Sequence, residues 1–492
     1  MRRALRAHYR CAGVFAAALL GLTLAVAPLP GACAASLAAL AAQPANALTL
    51  DLYRQLIAIN TTDTAAGNVT TAAEAMAKRL RAAGFPAADI AVVGPTERKK
   101  NLVARLRGSG ADKPVLLIGH LDVVEARRAD WSTDPFTLIE KDGYFYGRGT
   151  IDMKVHDAIM VSALIRWHQQ GWRPARDVIV ALTADEEGGC CNGVDWLMKH
   201  RRELIEAPFA INFDDYGVIA SQGVPQFFQV DASEKLYADY QLLVTGIGGH
   251  SSEPVPDNPI YTLTRALNRL AAYEFPFELN AVTRAYYTRM AQVETGQRAS
   301  DMRAILRTPP DLQALARLSH DTLDHSRTHT TCVATRLAAG HANNALAQRA
   351  TAVVNCRILP GHSAEEVRAQ LRQVMAEPAM SIGYLESDGT VRADAPTALA
   401  FTPPPLLPQV MEPLEKVVGE MWPHLAVIPG MSEGASDATV LIAAGVPTYT
   451  FSGLAVDRED DREHGRDERV RVQAVYDARE FFDRYITLLA GH

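Results

Sequence analysis

The sequence predicts an α/β catalytic domain whose sheet is covered on both faces, with a smaller α+β sandwich inserted into it. Three observations lead there. Near-continuous apolar strand-like runs alternate with helix-like ones as far as Phe213, the pattern changes to half-buried alternation near Lys235, and signals of the first kind resume from Met411 to Phe451. The division that follows is a leader at 1–34, a catalytic domain in two parts at 48–235 and 396–492, and an inserted domain at 236–395.

Apolar residues recur at helical spacing over Leu48–Ile57 and Thr71–Ala83, and Gly84-Phe85-Pro86 stops the second run. Asn101–Leu106, Val115–Ile118, Asp177–Thr183 and Phe209–Phe213 read as strands. Asp157–Gln170 and Val194–Arg202 read as the helices between them. Leu236–Gly246 alternates like an antiparallel strand with one face wet. Helical stretches follow at Asn258–Tyr273 and Leu312–Thr322, then two β-like runs, Thr330–Arg336 and Thr351–Leu359, and a helix over Ser363–Val374. Pro403-Pro404-Pro405 and Pro408 mark the return to the first domain.

Arg2, Arg3, Arg6 and Arg10 precede the almost wholly apolar Val14–Ala27, and Ala32-Cys33-Ala34 offers small residues for cleavage. This predicts a signal peptide and a periplasmic or secreted protein. The apolar run is short of the roughly 20 residues that span a bilayer. A lipid anchor on Cys33 is disfavoured because Leu29 lies one place too far upstream. Without the leader the formal net charge moves from -7 to about -11. That acidic balance, with no basic patch beyond Arg98-Lys99-Lys100, argues against a nucleic-acid partner. No stable membrane partner is expected. Of the remaining cysteines, Cys332 and Cys356 sit in the two β-like runs, where a cross-strand disulfide and two reduced thiols both fit. No CxxC pair offers a cysteine zinc site.

Acidic and histidine clusters gather at the ends of predicted strands, where open α/β sheets collect ligand sites. Gly119-His120-Leu121-Asp122 follows one strand, and in an extended segment residues two apart point the same way. Asp122 is therefore expected to accept the second ring N–H of His120, a ligand and its orienting partner. In Gly147-Arg148-Gly149-Thr150-Ile151-Asp152 the glycines allow a tight loop, and Asp152 can bridge two ions through its two oxygens. Asp185-Glu186-Glu187 places three acids at the end of an apolar strand, which calls for cations or exposure. There one Glu suits a ligand and the other a general base. Asn212-Phe213-Asp214-Asp215 and Glu463-His464 complete a set of carboxylates and imidazoles suited to Zn, Mn or Co. A serine hydrolase is disfavoured by the lack of a GxSxG elbow.

The order and spacing of GHLDVV at 119–124, GRGTIDMK at 147–154, ADEEGG at 184–189, GGHSSEP at 248–254, NALAQRA at 344–350, CRILPG at 356–361, GASDA at 434–438 and EHGRDE at 463–468 resemble the M20 metallopeptidase family. The resemblance implies a two-metal amide hydrolase, most simply a zinc-dependent carboxypeptidase or dipeptidase acting on small peptides with a free carboxylate. An N-acyl-amino-acid amidohydrolase is the alternative, and a non-catalytic binding protein on the same fold a remote one. It implies that Asp152 bridges the ions, that His120 and Asp214 complete one site and Glu187 and His464 the other, and that Glu186 is the general base. Asp214 is preferred to Asp215 on the family's pattern at this strand end. The inserted domain resembles a lid that in this family often also mediates dimerisation, in which His250 reaches the active site, frequently from a partner subunit; a homodimer and an enlarged lid that acts alone both stay open, the helical extra matter between Ala281 and His329 fitting the second. Asn344, Arg357 and Ser436 match substrate contacts. Two departures, Ala347 where the family has Pro and Val155-His156 where Gly is common, touch loop shape rather than ligands.

Overall fold

The computed structural model describes residues 37–188, 190–397 and 402–491. The expected signal segment at 1–34, with Cys33, lies outside the described residues. Among those described, no helix is long and apolar enough to cross a membrane.

Strands Val115–His120 and Val178–Thr183 are buried at every position, because their side chains alternate between two covered faces. Leu117, Val178, Val180 and Leu182 enter one core with helices Pro44–Ile57, Lys154–Gln169 and Val472–Ala490. Leu116, Ile118, Ile179 and Ala181 enter the other, with Val194, Leu197 and Leu441. The strand order is Ile90–Thr96, Lys99–Leu106, Val178–Thr183, Val115–His120, Ala210–Asn212, Thr448–Thr450, Val224–Glu234, Val218–Ser221 and Ala455–Asp457, with Val427–Ser432 paired to Val224–Glu234. The sheet is mixed. Val178–Thr183, Val115–His120, Ala210–Asn212 and Thr448–Thr450 run parallel, so their C-terminal ends open on one side. The edge strands Ile90–Thr96 and Lys99–Leu106 are antiparallel.

The chain passes through Lys235 into a second, antiparallel sheet in the order Thr331–Ala339, Arg349–Ile358, Leu236–Thr245, Met380–Leu385, Val391–Arg392. Helices Pro259–Ala271 and Ala364–Met375 cover one face. Asn258 caps the first through the Ile260 N–H, and Ser363 with Glu366 forms a capping box on the second. Leu236–Thr245 alternates buried and open positions, leaving Tyr237, Asp239 and Gln241 on the uncovered face. Cys332 lies directly opposite Cys356 and is bonded to it.

One part of 236–395 does not pack with this antiparallel sheet. Helices Ala281–Val293, Gly296–Ile305 and Leu312–Leu318 build a separate core from Tyr286, Tyr287, Met290, Met302 and Leu318 against Ile219, Phe227 and Ile428 of the main sheet. Arg327 fastens the insert further, pairing with Glu433 at 2.8 Å and donating to the Tyr286 hydroxyl at 2.8 Å. The second domain thus has a helical appendage seated on the main sheet. Periodicity identifies such helices, but not the surface that takes their apolar stripe.

Candidate active site

Three parallel strands end where the acidic and imidazole residues begin. His120 is the last residue of its strand, Glu186 and Glu187 follow Val178–Thr183 on a turn, and Asp214 follows Ala210–Asn212. The Asp152 loop and the His464 loop close over them. Asp152 sends Oδ1 to within 2.9 Å of His120 Nε2 and Oδ2 to within 2.8 Å of His464 Nε2. Asp214 Oδ1 stands 3.2 Å from His120 Nε2, and Glu187 Oε1 stands 2.8 Å from His464 Nε2. Two ligand groups therefore share one carboxylate: His120, Asp152 and Asp214 on one side, and Asp152, Glu187 and His464 on the other. Glu463 lies beside the second group.

Asp215 turns away from this centre. Its carboxyl receives the Tyr216 N–H at 2.6 Å and meets buried Asp231, so of the two neighbouring acids it is Asp214 that faces His120.

The electrostatics fit cations. Burial pushes the Glu187 carboxyl up to about 7, against the hydrogen bond from His464. Burial and the nearby Asp152 push Glu463 up to about 8. Hydrogen bonds that His464 donates to Asp152 and Glu187 push its imidazole up to about 11. On His120 burial works the other way, yet Asp214 and Asp152 raise the imidazole well above its ordinary value. Protons here take the place of positive charge, and metal binding to such a set displaces them. Two imidazoles and three carboxylate side chains, with one carboxylate facing both ways, form a donor set that fits a pair of divalent ions.

The expected contact between the Asp122 carboxylate and the His120 ring is corrected. His120 Nδ1 lies 3.0 Å from the Asp122 backbone carbonyl and 3.8 Å from its carboxylate. The strand ends at His120, so side-chain alternation does not continue to residue 122. The Asp122 carboxylate instead accepts the N–H groups of Glu186 at 3.2 Å and Glu187 at 2.9 Å. It clamps the turn that carries both glutamates. Asp185, at φ 63, supports the same turn from behind, taking the Lys99 ammonium at 2.5 Å and the Cys191 N–H at 2.6 Å. A Cβ on Gly188 would collide with the Asp185 carboxylate, which keeps that position glycine. Cys190 and Cys191 are bonded to each other just beyond.

Glu468 is a residue whose role the sequence did not disclose. Fully buried, it accepts the Ile151 N–H at 2.7 Å and pairs with Arg148 at 2.5 Å, while Arg148 donates to the carbonyls of His464 and Gly465. This network joins the Asp152 loop to the His464 loop across more than 300 residues of sequence. Glu468→Ala leaves Arg148 buried and unpaired, and is expected to cost about 3–5 kcal/mol of stability, read as a lowered midpoint of urea unfolding at unchanged slope.

The site opens into a cavity of about 2020 Å³ bounded by the main sheet, the uncovered face of the lid sheet and the helical insert. Arg357 lines it with its guanidinium 4.7 Å from the Tyr237 ring centroid. Among the described residues Arg357 has no ion-pair partner. Ser436 also lines the cavity, but its hydroxyl and N–H both go to buried Glu234 at 2.7 Å and it caps helix Asp437–Ala443. Its place is structural rather than that of an open substrate contact. His250 and Asn344 are not brought to the cavity. They lie in a small ribbon of the lid, where Gly249–His250 pairs with Ala345–Leu346 and the Ser251 N–H reaches the Asn344 carbonyl at 3.1 Å.

The profile described as Peptidase family M20/M25/M40 matches residues 116–488. The chain is 27% identical over 374 residues to the N-fatty-acyl-amino acid synthase/hydrolase PM20D1 of Xenopus tropicalis, covering 74% of this chain and 70% of that protein. It is 34% identical over 233 residues to the succinyl-diaminopimelate desuccinylase of Delftia acidovorans, covering 46% and 57%. In fold it resembles the M20 family metallo-carboxypeptidase Sso-CP2 of Sulfolobus solfataricus, with a TM-score of 0.66, 16% identity, and 90% and 99% of the two chains covered. Human carnosine dipeptidase 1 follows with a TM-score of 0.60, 13% identity, and 90% and 96% covered. The match spans both parts of the catalytic domain and the lid between them, and the chain belongs to the M20/M25/M40 peptidase family of hydrolases.

Proposed function

We propose that this chain is an exported two-metal amide hydrolase that frees an amino acid with an open carboxylate from a small peptide. The observation that carries the reading is the Asp152 carboxylate, with one oxygen toward His120 and the other toward His464. His120, Asp152 and Asp214 would hold one ion and Asp152, Glu187 and His464 the other, zinc first, with manganese or cobalt as the other ions such donors accept. When bound, such a pair supplies Lewis-acid polarisation of the amide carbonyl and a water acidic enough to attack at neutral pH. Glu186, on the turn clamped by Asp122, takes the proton from the attacking water and returns it to the leaving nitrogen. Arg357 offers the substrate carboxylate two parallel N–H donors, and Tyr237 beneath it fixes the plane of the fork.

Arg357→Ala is expected to raise KM for a dipeptide by about 10–100-fold with kcat much less affected, the range of a hydrogen bond to a charged group. Steady-state kinetics on one dipeptide and its C-terminal amide check this, since the amide should lose the dependence on Arg357.

A second reading, hydrolysis of N-acyl amino acids, is favoured by the apolar side of the cavity, where Tyr286, Met290, Leu337 and Val353 face the open space. That room exceeds what a dipeptide fills, since small-ligand pockets commonly measure about 300–1,000 Å³. The likeness to PM20D1 points the same way. Initial rates on matched dipeptide, N-acetyl and N-fatty-acyl substrates sharing one C-terminal residue separate the classes. Preference for the fatty-acyl amide would move the assignment to the second.

The placement of His250 and Asn344 outside the cavity supports a homodimer in which a second copy presents them. The basic and apolar leader supports export, and the opposed pair Cys332 and Cys356 suits an oxidising compartment.

A further inference from the structure

The helical insert joins the lid through a narrow neck. The outgoing chain runs from helix Pro259–Ala271 through Glu274 and Glu278, and the returning chain runs from helix Thr322–Thr328 into strand Thr331–Ala339. The two cross where the Glu278 N–H donates to the Thr328 carbonyl at 2.9 Å.

At this crossing His325 and His329, four residues apart, stand together with ring centroids 4.5 Å apart. Glu274 places Oε1 3.6 Å from His325 Nδ1 and 3.8 Å from His329 Nε2. Both separations exceed a hydrogen bond. They are close instead to the edge of a coordination tetrahedron, about 3.4 Å when each ligand atom is 2.0–2.1 Å from one ion. His329 is buried, and its Nδ1 lies 3.0 Å from the His325 carbonyl. That carbonyl can only accept, and the Thr328 hydroxyl, 2.9 Å from the same nitrogen, already donates to the Asp324 carbonyl at 2.8 Å, so Nδ1 carries the proton and the Nε2 lone pair is turned toward a carboxylate. A lone pair and a carboxylate facing each other beyond hydrogen-bond reach repel, and a cation between them removes the repulsion. None of the three residues lines the active-site cavity.

We propose that Glu274, His325 and His329 form a further metal site, taking one first-row divalent ion of the zinc type and clipping the neck of the helical insert to the lid. Two imidazoles and a carboxylate select zinc, cobalt, nickel or copper over calcium and magnesium, and three protein ligands leave the fourth position to water. The rings stand 16° from parallel, so on binding the more exposed His325 ring would turn until both nitrogens meet one ion. The consequence is mechanical: the ion fastens the outgoing and returning chains of an insert that walls the substrate cavity.

The test counts zinc per chain by mass spectrometry of the full-length protein after dialysis against buffered zinc, comparing wild type with Glu274→Gln and His325→Ala. Neither side chain is fully buried, with 64% and 32% exposure. Wild type is expected to hold one zinc ion more than either variant, with hydrolytic rates unchanged within about twofold. Zinc should also slow proteolytic nicking of the neck in wild type alone. Equal zinc content in wild type and both variants overturns the proposal. An Asp152→Ala background separates this site from the active centre: the proposal requires that protein to retain one zinc ion that Glu274→Gln then removes, and loss of all zinc in Asp152→Ala alone contradicts it.

Discussion

Glu186→Gln is expected to keep both active-site ions and to lower kcat by about 10²–10⁴-fold, the usual contribution of a positioned general base. The geometry separates two adjacent glutamates that only the family resemblance tells apart in the sequence. Both backbone N–H groups are tied to Asp122, and from that shared anchor Glu187 reaches His464 at 2.8 Å. Glu186 has no hydrogen bond to its carboxylate among the described residues and faces the cavity. Burial, with repulsion from Asp214 and Asp437, raises its proton affinity well above that of an ordinary glutamate. A carboxyl so placed takes a proton readily, and cations held by Asp152 and Asp214 would offset the repulsion so that it could also release one. The amide in Gln has similar size and no basicity. Kinetics alongside metal analysis check the point, and turnover within tenfold of wild type would remove Glu186 from the mechanism.

Asp152→Ala should empty both ligand groups at once and take activity below detection. The carboxylate is the member common to the two sets, with His120 on one oxygen and His464 on the other. Without it each side retains one imidazole and one carboxylate. Asp214→Ala should instead lose one ion preferentially, and Asp215→Ala neither, because Asp215 faces Asp231 rather than His120. Metal content per chain at fixed free zinc, followed in the three variants, distinguishes these outcomes. Retention of both ions in Asp152→Ala would show that the loop does not bridge.

Much of this site is legible in the sequence. Strands such as Val115–His120 and Val178–Thr183 announce themselves as short apolar runs because both faces of the sheet are covered. Ligand-type residues immediately after such runs fall at the C-terminal ends of parallel strands. The contact of Asp122 was not legible, since the alternation rule holds only while the strand continues and this one ends at His120. Glu468 was visible as part of EHGRDE, yet its partners Arg148 and Ile151 lie some 320 residues away in sequence. The helices after Ala281 were legible as helices, but their attachment to Phe227 and Ile428 depends on which strands reach the sheet edge. Ser436 matched a substrate position, and what the motif could not show is the buried Glu234 that takes both its N–H and its hydroxyl.

The most direct measurement is hydrolysis of a panel of dipeptides and N-acyl amino acids by the purified protein, before chelation, after chelation, and after restoration with zinc or manganese. The account predicts that release of the C-terminal amino acid stops on chelation, returns with metal, and does not return in a Glu186→Gln protein that has rebound its ions. Hydrolysis that persists in the stripped protein, or restored turnover in Glu186→Gln equal to wild type, would contradict it.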